Sequence, residues 1–96
     1  MIRSFGDTGT EDLFYRRDSK AARKACPNEA LSAARRKLDY LHQAKDLREL
    51  AQLPAGLEKK VGKMEGWYTL RVNDRYRVLF RWTEGAADEV RVVDYH

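Results

Sequence analysis

Arg77, in the run Tyr76-Arg77-Val78-Leu79-Phe80, and Asp94, Tyr95 and His96, in Val93-Asp94-Tyr95-His96, have side chains that can act together on a phosphodiester. Cutting RNA internally requires a group that takes the proton of a ribose 2′-hydroxyl, a cation that stabilises the phosphorane-like transition state, and a donor for the departing 5′-oxygen. An arginine, a histidine, a tyrosine and a carboxylate supply all three. Arg77 is the natural phosphate partner, because its planar fork donates two hydrogen bonds and stays charged at any relevant pH. Exposed strand arginines are nonetheless ordinary, so the residue alone does not decide. His96 exchanges protons near neutrality, Asp94 can orient it or hold its charged form, and Tyr95 can donate a hydrogen bond or stack on a base. Their structural alternatives are a frayed histidine and a half-buried strand tyrosine. Lys59, Lys60 and Lys63 would hold a polyanion near the site, or else belong to a solvated loop.

These residues need elements that bring two distant stretches together. Met1 to Phe5 reads as a first or edge strand, broken by Gly6 to Thr10, and Glu11 to Arg17 as a short helix burying Leu13 and Phe14. Cys26-Pro27-Asn28-Glu29 reads as a helix entry, with proline tolerated in the first turn and an acid complementing free N–H groups. Leu31, Ala34, Leu38 and Leu41 then form one apolar stripe. Asp46 to Leu53 suits another short helix, ended by Pro54-Ala55-Gly56. Leu57 to Gly66 reads as a basic surface loop.

After Gly66 the period becomes strand-like. If Asn73, Asp74 and Arg75 form the loop of a hairpin, Val72 faces Tyr76, Leu70 faces Val78 and Tyr68 faces Phe80, which gathers the apolar side chains on one face. Arg71, Arg77 and Arg81 then share the opposite face, where they repel unless water or an anion intervenes. Gly85-Ala86-Ala87 reads as the next turn and Glu89 to Tyr95 as the last strand, with Val90 and Val92 on one side and Arg91, Val93 and Tyr95 on the other. Helices followed by strands predict an α+β domain, with a small antiparallel sheet packed against N-terminal helices.

Ninety-six residues suit one domain, 1–96, with one modest core. A net charge of +4 attracts RNA, DNA or an acidic protein before any specific contact forms. Cys26 is the only cysteine, which excludes an internal disulfide and a Cys/His zinc cluster; it reads as structural, and a reducing cytoplasm fits. No metal or other cofactor is expected. Met1 to Phe5 lacks the apolar region of a signal peptide, no stretch is long enough to span a membrane, and no membrane partner is expected. His42 reads as a helix-capping or surface residue.

The run Gly66-Trp67-Tyr68-Thr69-Leu70-Arg71-Val72-Asn73-Asp74-Arg75-Tyr76-Arg77-Val78-Leu79-Phe80-Arg81-Trp82, with the later Val93-Asp94-Tyr95-His96, resembles the signature of HigB-like toxins of the RelE/ParE superfamily. The opening Met1-Ile2-Arg3-Ser4-Phe5 and the long helix match as well. The resemblance implies a toxin of a type II toxin-antitoxin system. Its expected activity is that of a ribosome-dependent endoribonuclease, cutting messenger RNA in the A site of the small subunit by 2′-hydroxyl attack on the adjacent phosphate. It also implies a cognate helix-turn-helix antitoxin, HigA-like, through which alone operator DNA would be engaged. By matching motif, Arg77 is the phosphate-stabilising arginine and Asp94, Tyr95 and His96 form the C-terminal part of the site. Arg71, Arg81 and the lysines would contact RNA or the ribosome.

One position departs from the pattern. Many relatives carry a histidine in a segment resembling Leu-His-x-Leu-Lys-Gly, whereas this chain has Leu57-Glu58-Lys59-Lys60-Val61-Gly62. Glu58 is then the expected general base or positioner of the 2′-hydroxyl, against the alternative of a surface glutamate pairing with lysines. Two other functions are open: a ParE-like inhibitor of DNA gyrase, against which the Asp94-Tyr95-His96 ending argues, and a catalytically weak antitoxin-binding module.

Overall fold

Asp7, Ser19 and Asp46 each open a helix by accepting a hydrogen bond from a backbone N–H three residues on, those of Thr10 (2.7 Å), Ala22 (3.0 Å) and Glu49 (3.1 Å). They start α1 (Thr8–Phe14), α2 (Lys20–Ala25) and α4 (Leu47–Ala51). The longest helix, α3 (Asn28–Gln43), begins after Pro27 with Glu29 in its first turn. A computed structural model describes these elements and the rest of residues 1–54 and 56–95. On α3 the fully covered stripe is Ala30, Ala34, Leu38 and Leu41. Leu31 is only half-buried, because the smaller Ala30 takes the place nearest the sheet. Helix α1 starts earlier than its apolar pattern suggests, since the Asp7 cap draws Thr8, Gly9 and Thr10 into the first turn.

The strands β1 (Leu57–Lys59), β2 (Trp67–Arg71), β3 (Tyr76–Thr83) and β4 (Ala86–Asp94) form one antiparallel sheet in sequence order. The β2–β3 register is the expected one: Tyr68 opposite Phe80, Leu70 opposite Val78, and the Val72 N–H donating to the Tyr76 carbonyl at 3.0 Å. Asn73 closes the loop by accepting from the N–H groups of Arg75 (2.9 Å) and Tyr76 (2.8 Å) through its side chain. The helices cover one face of the sheet. There Leu13, Leu38, Leu41, Leu50, Leu70, Val78, Phe80 and Val90 are essentially inaccessible to solvent, each contributing on the order of 1.5–3 kcal/mol by burial.

Two expectations need correction. Leu57 to Gly66 is not simply a loop: Leu57, Glu58 and Lys59 pair with Leu70, Thr69 and Tyr68, and Gly62–Met64 forms a 3-10 turn. Backbone pairing to the open edge of β2 outweighs the weak apolar signal of a three-residue strand. The second hairpin turns at Glu84 and Gly85, not at Gly85-Ala86-Ala87. Both turn residues have positive φ (51° and 75°), the mirror-image geometry that matches strand twist, and Ala86 and Ala87 are buried strand residues opposite Thr83 and Trp82. β4 therefore starts earlier than expected, and a register shift between Leu79 and Arg81, with Glu89 at φ 54°, bends it.

The outer edge of β4 is covered. Ile2 and Phe5 bridge to Ala87 and Val90 in parallel fashion, and beyond them the Val92 N–H donates to the buried Thr10 hydroxyl at 2.9 Å. His42 sits against this segment, its Nδ1 accepting from the Ile2 N–H at 3.1 Å and its ring 5.1 Å from that of Phe14. Among the described residues, no helix is long and apolar enough to cross a membrane.

Candidate active site

The sheet face away from the helices carries the chemistry. Strand alternation and the register Arg71–Arg77–Val93 put Arg77 there, and the loop at Asn73 fixes it. Its Nη1 donates to the carbonyls of Asn73 (2.5 Å) and Tyr76 (3.0 Å), so the guanidinium is steered by backbone rather than neutralised by an acid. Tyr95, one residue past β4, is held beside the same hairpin by its N–H donating to the Arg75 carbonyl at 2.7 Å. Its ring lies 5.0 Å from the Arg77 guanidinium carbon and 4.1 Å from the Lys60 ammonium. Two cations therefore flank one electron-rich ring.

The Tyr95 hydroxyl donates to Glu58 Oε1 at 3.2 Å, and Lys60 Nζ lies 3.5 Å from the same oxygen. Tyr95 thus links the end of β4 to β1 at the far edge of the sheet. Glu58, Lys60, Met64, Leu79, Val93 and Tyr95 line an open cleft of about 530 Å³. Its floor is apolar and its walls carry a carboxylate, an ammonium and a phenol, with the guanidinium beside them. A strand of nucleic acid finds there a stacking surface for a base, a cation for a phosphate and a proton acceptor within reach of both.

The other expected site residues are placed as follows. Asp94 lies opposite Tyr76 and accepts from Nε and Nη2 of Arg75 at 2.9 and 2.8 Å, so it faces away from Tyr95 and holds the tail to the hairpin. That pairing raises the Arg75 pKa above its ordinary value. His96 lies outside the described residues. Arg71 is ion-paired with Asp74, and Arg81 lies 3.5 Å from Glu89 and 5.6 Å from the Trp67 ring. The mutual repulsion expected of three clustered arginines is thereby relieved by acids in a loop and a bulge. Lys59, opposite Tyr68 at the sheet edge, also lines the cleft, and Lys63 is exposed in the 3-10 turn. Among the described residues no cluster of three or more His, Cys, Asp or Glu could share a cation. Cys26 is buried and its thiol pKa is pushed up by desolvation, which suits an inert core position.

Sequence reasoning missed the apolar floor of Met64, Leu79 and Val93. The alternation of Leu79 against Val78 and Phe80 was the available signal.

Comparison with known proteins places the fold and the family. A family model described as "RelE-like toxin of type II toxin-antitoxin system HigB" matches residues 3–96. Toxin HigB-1 of Vibrio cholerae serotype O1 is 34% identical over 89 residues, covering 91% of this chain and 90% of that protein. Among solved structures, the YoeB-YefM complex from Staphylococcus aureus matches with a TM-score of 0.61 at 13% identity, over 100% of this chain and 98% of the other. YafQ from E. coli strain BL21(DE3) matches at 0.51 and 8%, over 99% and 94%. At such identities the two structures speak for the α+β fold alone. The family model and the Vibrio relative together show that the chain belongs to the HigB-like family of RelE-like toxins of type II toxin-antitoxin systems.

Proposed function

We propose that this toxin is an endoribonuclease that cuts messenger RNA in the ribosomal A site. The observation that carries the reading is Tyr95 held between Arg77 and Lys60 with its hydroxyl on Glu58. In this mechanism Glu58 takes the proton of the 2′-hydroxyl or positions that group. The 2′-oxygen attacks the adjacent phosphorus, and the bond to the 5′-oxygen breaks. Arg77 binds the phosphorane oxygens, where charge accumulates. Tyr95 stacks on a base in exchange for its present contacts, and His96, oriented by Asp94, supplies the proton of the leaving 5′-oxygen. Lys59, Lys60, Lys63, Arg71 and Arg81 contribute charge towards RNA.

The work takes place on ribosomes, hence in the cytoplasm. The neutralising partner is a cognate HigA-like, helix-turn-helix antitoxin, through which operator DNA is reached; the Staphylococcus neighbour is itself a toxin in complex with YefM. Mapping messenger ends by primer extension after brief induction tests the proposal. Cuts at in-frame codons that vanish in an R77Q variant are expected. Growth arrest with intact messengers and lost DNA supercoiling would instead place the chain with the gyrase inhibitors.

A further inference from the structure

Two arginines of the sheet have no carboxylate partner among the described residues. Arg3 pairs with Asp88, Arg71 with Asp74, Arg75 with Asp94 and Arg81 with Glu89. Arg77 turns instead to backbone carbonyls, and Arg91 has no hydrogen-bond or ion-pair partner among the described residues. Val90 and Val92 point into the core, so Arg91 stands on the open face, opposite Leu79 and two residues from the Val93 that faces Arg77. Diagonal neighbours of this kind are about 7–8 Å apart at the backbone, and from there the Arg91 side chain extends towards Gly6 at the outer edge of β4.

The position is built for that side chain. Arg91 Nε is buried without an acceptor. Its guanidinium lies against Gly6, where a Cβ would come within 2.4 Å of Nε, 2.5 Å of Nη2 and 2.7 Å of Cζ. The Gly6 N–H is bonded to the Val90 carbonyl at 2.8 Å, which keeps the glycine alongside β4. Leaving a charged group without a counter-charge is unfavourable, and no described residue supplies one; an anion arriving from solvent at the terminal guanidinium nitrogens does.

We propose that Arg91, seated against Gly6, forms a second phosphodiester site, holding another phosphate of the RNA strand whose reacting phosphate Arg77 binds. This rests on the nuclease reading above and deepens it: Arg91 sets the path of the strand and does not touch the reacting atoms.

The test is binding of a non-cleavable 2′-O-methyl RNA oligonucleotide to the full chain over a range of salt, together with steady-state cleavage on programmed ribosomes. For a single strand, each lost phosphate contact lowers the slope of log affinity against log salt by about 0.7. R91Q is expected to lower the slope by that amount and raise KM with kcat little changed, without lowering the melting temperature, because no hydrogen bond or ion pair of the guanidinium to a described residue is lost. R91K should keep the slope. G6A keeps every charge but displaces the guanidinium, and should weaken binding nearly as much as R91Q. A wild-type slope and KM in both R91Q and G6A, with R77Q impaired, overturns the Arg91 site and leaves the nuclease reading standing. An R91Q chain that melts lower with an unchanged slope also overturns it, by making the residue structural. If the wild type cuts no messenger yet its slope depends on Arg91, the phosphate site stands and the nuclease reading falls.

Discussion

Replacing Arg77 with glutamine separates catalysis from folding most cleanly. The guanidinium makes two hydrogen bonds to backbone carbonyls, those of Asn73 and Tyr76, and no ion pair with a described residue. At about 0.5–1.5 kcal/mol net for each, the change costs on the order of 1–3 kcal/mol, with the lower half favoured because the residue is only half-buried. A domain stable by about 5–15 kcal/mol remains overwhelmingly folded after such a loss. The same side chain, placed where phosphorane charge develops, contributes as a transition-state donor does, about 10²- to 10³-fold in rate. R77Q should therefore lower kcat by about 10²- to 10³-fold on programmed ribosomes while losing only a modest part of its denaturant midpoint. R77K, which keeps the charge without the fork, should fall between the two. Chemical denaturation and single-turnover cleavage on the same preparations decide the matter: R77Q cutting within threefold of wild type would refute the assignment.

Other expectations follow from individual contacts. Removing the Tyr95 hydroxyl in Y95F, or the Glu58 charge in E58Q, should change stability by less than about 0.5 kcal/mol, since both groups are exposed; E58Q should slow cleavage by about 10²-fold or more, whereas Y95F, which keeps the stacking ring, should cut nearly as wild type, and equal activity in E58Q removes Glu58 from the mechanism. T10V leaves the buried Val92 N–H without its acceptor, so it should cost about 1–3 kcal/mol, with faster amide exchange at Val92 and no change in kcat; unaltered melting would show that the bond contributes nothing. Asp88 accepts from Arg3 first, then Thr83 and Ser4, and these contacts hold its pKa well below the ordinary carboxylate value. Because the folded value is the lower one, the stabilisation is present above the unfolded pKa of about 4 and disappears as pH falls towards the folded one. Wild type should accordingly lose melting temperature between about pH 4 and 2 more steeply than D88N, and parallel curves would contradict that role.

The hairpin was the most legible part of the fold because a slip of one residue would have turned Tyr68 and Leu70 to the face opposite Val78 and Phe80, which the three-residue loop avoids and a two-residue loop does not. α3 was legible for the same reason at period 3.6, apart from the exchange of Leu31 for Ala30 on the buried side. α2 went unread: Lys20-Ala21-Ala22-Arg23-Lys24-Ala25 contains no large apolar residue, and only Ser19 as a cap and good intrinsic helix formers announce it. β1 was hidden because pairing with β2, rather than its own Leu-Glu-Lys pattern, makes it a strand. In the site, alternation placed Arg77 and Tyr95 on one face, as the ring contact bears out. The acids that answer Arg71 and Arg81 depend on the conformations of a loop and a bulge, which alternation does not specify. For the same reason it did not distinguish Arg91, which lacks such an acid, from its paired neighbours.

The claim that the open face drives 2′-hydroxyl attack is tested most directly by the ends it leaves. Purified toxin should be given ribosomes programmed with a defined A-site codon, with the message either all-ribose or carrying one 2′-deoxynucleotide at the cut position, and the fragments weighed by mass spectrometry. A 2′,3′-cyclic phosphate on the upstream fragment, a 5′-hydroxyl on the downstream one and an uncut deoxy message are the predicted result. Efficient cutting of the deoxy message, or 5′-phosphate ends, would contradict the account.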